Sequence, residues 1–150
     1  MPELLTDSPA RIIAKLLTDL DLGSLPGSNN QWPVYYDNEP DKPDNCVTVY
    51  TTTAIQQGVD MHTGRPKERQ SVQIRVRAND SNVSYEKIAT IKDTLADPES
   101  VYQRQVTPES EATYSVHKLS PGGILGGKQI PNSRRYFHTL NLTGVILKVD

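Results

Sequence analysis

Apolar and polar positions alternate strictly along Val72-Gln-Ile-Arg-Val-Arg-Ala78, with Val72, Ile74, Val76 and Ala78 on one side and Gln73, Arg75 and Arg77 on the other. A period of two predicts a strand with one buried and one wet face. A second strand is predicted at Cys46-Val-Thr-Val-Tyr-Thr51, where β-branched residues dominate. Between the two lie about twenty residues, far more than a tight hairpin needs. They include Gln56, Gln57, Asp60, His62, Arg65, Lys67, Glu68 and Arg69, and few side chains able to build a core. A long polar arm on a hairpin is costly to order unless it meets a partner. The pattern points to an assembly part rather than a catalyst.

Helical spacing takes over in two places. Ile12, Ile13, Leu16, Leu17 and Leu20 form one apolar stripe, predicting a helix over 8–22. Ser8 is its expected cap, Pro9 suits the first helical position, and Gly23 is the expected left-handed stop. Tyr85, Ile88, Ala89, Ile91 and Leu95 predict a second helix over 82–96, capped by Ser81 or Asn82 and closed by Asp97-Pro98. Trp32 to Tyr36 fits a short strand. Segments 23–31 and 37–44 read as loops, the second because Pro40 and Pro43 bar a central strand.

Residues 112–119 alternate again, with Tyr114 and Val116 on one face. The next segment, SPGGILGGKQIPNS, holds four glycines and two prolines and reads as a flexible loop. Its Ile124, Leu125 and Ile130 are apolar residues on a mobile loop, a common mark of contact residues. Arg134 to Val149 is the longest strand signal. Leu140 and Leu142 share one parity and Val145, Leu147 and Val149 the other, so a bulge or bend is expected at Gly144. The order α-β-β-β-α-β-β predicts one α+β domain over 1–150. Its expected form is a mixed, mostly antiparallel sheet with two helices packed on one face and a long β-hairpin arm. Ile12, Leu16, Leu20, Ile74, Val76, Ile88, Leu95, Leu140 and Leu142 are the expected core.

Composition narrows the function classes. The chain has 150 residues, 35% of them hydrophobic, so the core is lean and part of its apolar surface is expected to be buried between subunits. A net charge of -2 lacks the concentrated positive field of an autonomous nucleic-acid binder. The one cysteine, Cys46, rules out an internal disulfide and fits a reducing compartment. Leu4-Leu5 runs at once into Thr6, Asp7 and Ser8, so no signal-peptide apolar region is expected there. No stretch approaches the ~20 apolar residues of a membrane span. The expected setting is soluble and intracellular at synthesis.

Catalytic and metal chemistry find little support. Asp60 and His62 are two metal-type side chains two apart, but a zinc site wants three or four ligands in a recognisable spacing. His117 and His138 lie on separate strands. Cys46 would need a nearby base to act as a nucleophile, and a small buried hydrophobe is the commoner state at a strand start. Gly122 to Lys128 matches a phosphate-loop spacing, yet Gln129 replaces the hydroxyl residue and no helix follows. Arg75, Arg77, Arg134 and Arg135 have a plain reading as a solvated sheet face paired with Asp and Glu. Their sharper reading is pairing between subunits, since the guanidinium fork suits carboxylates across an interface.

The string DNCVTVYTTTAIQQGVDMHTGRPKERQSVQIRVRA, the helix from Tyr85 to Leu95 and the closing SRRYFHTLNLTGVIL resemble the minor capsid or tail terminator proteins of long-tailed bacteriophages. The likeness runs over nearly the whole chain. It is most specific at Asp44-Asn45, from Thr51 to Gly64, from Gln73 to Ala78 and from Arg134 to Leu142. It implies an α+β fold and a six-membered ring, made of copies of this chain, that caps the tail tube at the head-proximal end of the virion tail. It also implies that the ring meets the tail tube protein and a head-completion or stopper protein. No cofactor and no enzyme activity come with it. Genomic DNA would pass the channel without sequence-specific binding, which the near-neutral charge suits. On this reading the contact residues are Gln56, Gln57, Asp60, His62, Arg65 and Arg69 on the arm. Ile124 and Leu125 join them from the glycine-rich segment, and Arg75, Arg77, Arg134 and Arg135 from the strands. The alternatives are another neck or tail component of the same fold, such as a tube protein or head-tail connector, and a small hydrolase using His62 or Cys46.

Overall fold

A computed structural model of the protein describes residues 5–24, 26, 32–59, 61–62, 66–108 and 112–149, with the backbone alone at 55–59 and 66–68. In chain order the elements are α1 (Pro9–Asp19), β1 (Val34–Tyr36), β2 (Cys46–Thr51), β3 (Ile55–Val59), β4 (Pro66–Ala78) and α2 (Ser81–Ala96). Then come α3 (Pro98–Val101), β5 (Arg104–Val106), β6 (Thr113–Gln129) and β7 (Tyr136–Val149). Six strands follow the order β1-β2-β4-β7-β6-β5, and β3 joins β4. The β1–β2 pair is parallel and the other pairs between the named strands are antiparallel, so the fold is α+β with a mixed sheet.

The first helix starts as its sequence dictates. Ser8 Oγ accepts from the Arg11 N–H, and Pro9 follows in the position that needs no donor. Its stop differs from expectation. Asp21, at φ 59°, takes the left-handed position, with Leu22 N–H donating to Leu17 O at 2.9 Å and Asp21 N–H to Thr18 O at 3.2 Å. These are the paired bonds of a Schellman end. Gly23 instead lets the chain pass close to β1, because a Cβ there would run into the Val34 side chain and lie 2.9 Å from Trp32 O. The second helix is capped by Asp80, whose carboxylate accepts from Asn82 and Val83 N–H, and not by Ser81 or Asn82. Ser84, Ile88, Ile91 and Leu95 are its buried face, while Tyr85 is 49% exposed.

One apolar cluster unites α1, α2 and the sheet. Ile12, Leu16, Ile74, Val76, Ile88, Leu95, Leu140 and Leu142 are all buried in it, and Leu20 packs at its margin. The α1 helix touches β1, β2, β4 and β5, and α2 touches β4, β6 and β7.

Two strand readings need correction. The glycine-rich segment does not form a loop: β6 runs straight through it, paired with β7 from Thr113↔Val149 to Gln129↔Tyr136. Three register shifts absorb the extra residues, and the glycines admit close backbone approach. At Gly126, φ 149°, a Cβ would lie 2.6 Å from His138 Cα. Nor does β7 change face at Gly144. His138, Leu140, Leu142, Gly144 and Ile146 keep one buried parity, and Leu147 is 39% exposed. The irregularity sits on the partner, between Val116 and Lys118. Gly144 leaves room for Leu119, whose Cδ2 would be 2.5 Å from a Cβ there. The elements β3, α3 and β5 lack a counterpart in the predicted order.

Candidate assembly surfaces

Pairing between β4 and β7 covers Ala78↔Tyr136 to Gln70↔Gly144 and stops there. Past this fork β7 stays with β6, from Lys118↔Val145 to Thr113↔Val149. The first residues of β4 pair with β3 instead, through Ile55↔Arg69, Gln56↔Glu68 and Val59↔Pro66. Past the fork the described part of the polar connection is therefore a β3–β4 pair with no β7 beside it. Gln56 and Gln57 lie on β3, known by their backbone. His62 is exposed and the neighbouring Met61 is 96% exposed. Arg69, at the root, points back to Ser120 Oγ at 3.4 Å. Asp60 and Arg65 lie outside the described residues.

The turn joining β6 to β7 occupies the opposite end. Ile124 pairs with Leu140 and packs against the core, whereas Leu125 pairs with Thr139 and is 56% exposed. Arg134 is exposed beside a hollow of about 510 Å³ lined by Gln129, Pro131, Asn132 and Ser133. Arg135 turns inward to the chain, with its Nη2 2.6 Å from Asp44 Oδ1 and its Nη1 3.2 Å from Asp41 Oδ1. Those two carboxylates raise its pKa and hold the guanidinium charged.

The polar side of β4 is not uniformly wet. Residues 37–45 fold across it as a strap, and Arg75 and Arg77 reach Glu39 at 3.3 Å and 3.5 Å. Arg77 is 3% exposed and donates to Pro43 O at 2.6 Å and to the Asp41 and Asp44 carbonyls at 3.2 Å each. Arg75 lies 3.9 Å over the Phe137 ring. The strap needs these donors because its prolines prevent it from pairing as a strand. Arg75, Arg77 and Arg135 are thus engaged within the chain by acidic or carbonyl partners. Beneath the strap Cys46 is fully buried, and desolvation raises its thiol pKa despite nearby Arg77. A raised thiol is a poor nucleophile.

The histidines do not converge. Among the described residues, no three His, Cys, Asp or Glu side chains are placed to hold a metal ion. His138 is buried, its Nδ1 2.9 Å from Ser84 Oγ, which donates to Val76 O at 3.0 Å. A carbonyl can only accept, so the Ser84 proton goes to Val76 and His138 Nδ1 carries a hydrogen. Burial lowers the His138 pKa. The strap and this Ser84–His138 pair escaped the sequence reading. Only the acidic residues 39, 41 and 44, interleaved with prolines, hint at the strap.

No curated protein matches the chain. Among solved structures, one named only by an identifier is similar at 16% identity, covering 93% of this chain and 92% of that chain with a TM-score of 0.48. No helix among the described residues is long and apolar enough to cross a membrane. The family model described as bacteriophage tail terminator protein matches residues 15–116, from α1 through the capped second helix and into β6. The chain belongs to the bacteriophage tail terminator family, and is a structural protein of the phage tail.

Proposed function

We propose that copies of this chain close into a ring, of six, that caps the finished tail tube and offers its other side to a head-completion protein. The observation that carries this reading is the opposition of the two candidate contact regions. The arm leaves the sheet at the Gly144 end, and the β6–β7 turn lies at the Tyr136 end. A terminator must match the tube on one side and fail to match it on the other. One sheet with different structures at its two ends meets that need. In this reading both helices cover one face of the sheet, and the arm is a contact device rather than part of the core. DNA passes through the ring without being read, and no catalysis is involved.

Replacing residues 57–67 with a short glycine linker tests it. The core pairs of β2, β4 and β7 do not involve those residues, and loop length affects closure entropy only weakly. The expected result is a folded protein by circular dichroism that neither forms rings by mass measurement nor limits tail length in electron micrographs of a complementation assay. Normal tails would overturn the role of the arm.

A further inference from the structure

Apart from the inner sides that β4 and β7 leave open to each other past the fork, two unpaired edges stand at the outer margins of the described strands. On β6, β5 covers only Tyr114 to Val116, and among the described residues no strand lies outside Lys118 to Gln129. Gly122, Gly123 and Leu125 to Gln129 are exposed along that stretch. The other edge is the outer side of β3, which pairs only with β4. Elsewhere the sheet is guarded in the usual way, since its terminal strands β1 and β5 have three residues each. A long open edge carrying Ile124 and Leu125 is an aggregation hazard unless it has an assigned partner. A two-stranded ribbon is itself marginal in water.

The two edges are complementary in position and direction. β3 takes the place beside β4 that β2 holds further along, since Thr51↔Val72 is followed by Thr52 N–H to Ser71 O at 2.9 Å and then Ile55↔Arg69. Its free side therefore faces the β1 margin of the sheet, and the free side of β6 faces the β5 margin. Three antiparallel steps, β3 to β4 to β7 to β6, make β3 and β6 run in opposite directions. Copies related by rotation about an axis along the strands keep those directions. The β3 margin of one copy then meets the β6 margin of the next as an antiparallel pair. Because β3 stands beyond the Gly144 fork and the open part of β6 runs back from it, the junction is staggered. Strand tilt produces such a stagger when a sheet closes round an axis.

We propose that the arm of one copy adds as a strand, through β3, to the open edge of β6 between Lys118 and Gln129 of a neighbouring copy. The contact is heterologous, so repetition closes a ring instead of stopping at a pair. Main-chain hydrogen bonds supply the attachment, which frees the polar side chains of the arm from specifying it. The inference rests on the ring reading above and names the joint.

Cysteine pairing tests it. Gln56→Cys or Gln57→Cys is combined with Gly123→Cys or Leu125→Cys in all four pairs, with the native chain as control because Cys46 is fully buried. The proteins are assembled, oxidised and run without reductant, beside mass measurement of the unoxidised samples and circular dichroism. The expected result is a ladder of linked copies ending at the ring size in at least one double variant, and no linkage in the single variants. Rings without any linked ladder would overturn the β3–β6 joint while leaving the ring reading standing. Folded chains that never form rings would overturn both.

Discussion

The Tyr114 hydroxyl lies 2.7 Å from Asp7 Oδ2, joining positions 107 residues apart in sequence. It also accepts from the Asp7 N–H at 3.0 Å and the Thr6 N–H at 3.2 Å. Asp7 in turn pairs with Arg11 at 3.2 Å. The segment leading into α1 is thereby fastened to the start of β6. Replacing Tyr114 with Phe leaves a buried carboxylate and two N–H groups short of a partner. The expected loss is about 1–3 kcal/mol. Urea titration should show a lower midpoint at unchanged slope, and an unchanged midpoint would mean that water replaces the phenol freely.

Gly126 and Gly123 should respond oppositely to the same substitution. Gly126→Ala forces a Cβ to 2.6 Å from His138 Cα at φ 149°, so the expected outcome is a clear drop in melting temperature. Gly123 has nothing within 4 Å of a Cβ. Gly123→Ala should leave the melt unchanged or raise stability by about 0.4–1 kcal/mol through the unfolded chain. Equal effects at both sites would refute the close-approach account of Gly126.

Arg77 is expected to matter more than its place on the polar side of β4 suggests. Methionine there matches its length but removes the donor from the Asp41, Pro43 and Asp44 carbonyls and leaves the Glu39 carboxylate with Arg75 alone. Breaking a buried charge network from one side costs roughly 3–5 kcal/mol. Arg77→Lys should recover only part of it, because an ammonium cannot span the same fan of acceptors. Thermal unfolding of both variants, beside Glu39→Gln, measures the ranking.

Stability should fall as pH drops through the ordinary histidine range. Burial holds the His138 pKa below its usual value, so on acidification the unfolded chain takes up the proton first. The contribution is therefore full above the unfolded pKa of about 6.5, declines below it, and levels off beneath the folded pKa. The groups around the ring are Ser84 Oγ and the Tyr85 ring from α2, the latter at 5.7 Å, and Gly126 and Gly127 of β6. His138→Asn, which keeps a donor toward Ser84, should flatten the slope of stability between pH 7.5 and 5.5. A slope unchanged in that variant would assign the pH dependence elsewhere.

Much of this was legible where local chemistry and packing agree. The alternation from Val72 to Ala78, the stripe from Ile12 to Leu17 and the cap at Ser8 each report a single dominant force. The residues that misled are those where a distant segment overrides a local preference. Gly122 to Gly127 carry every sign of a loop, but β7 pairs with Ile124, Leu125 and Gly126 and so holds the segment as a strand, with Gly122, Gly123 and Gly127 taken up in the register shifts. Tyr85 fits the helical period, yet Ser84 holds the inward position because Val76 O and His138 need its hydroxyl. Arg77 alternates as a wet residue should, and is covered only because Pro40 and Pro43 deliver a strap from another part of the chain. For the contact residues, the polar sequence marked the arm, but the pairing directions of β3 and β6 emerge only from the sheet order.

The fork at Gly144 also has a consequence for change over generations. Because β4 trades β7 for β3 there, substitutions in the ribbon beyond the fork alter a module from which, among the described residues, no side chain belongs to the apolar cluster. Such a module can be rewritten to suit a different neighbour while the folding of the rest proceeds as before. Insertions and deletions should accumulate in that ribbon among related chains far sooner than in the strands it grows from.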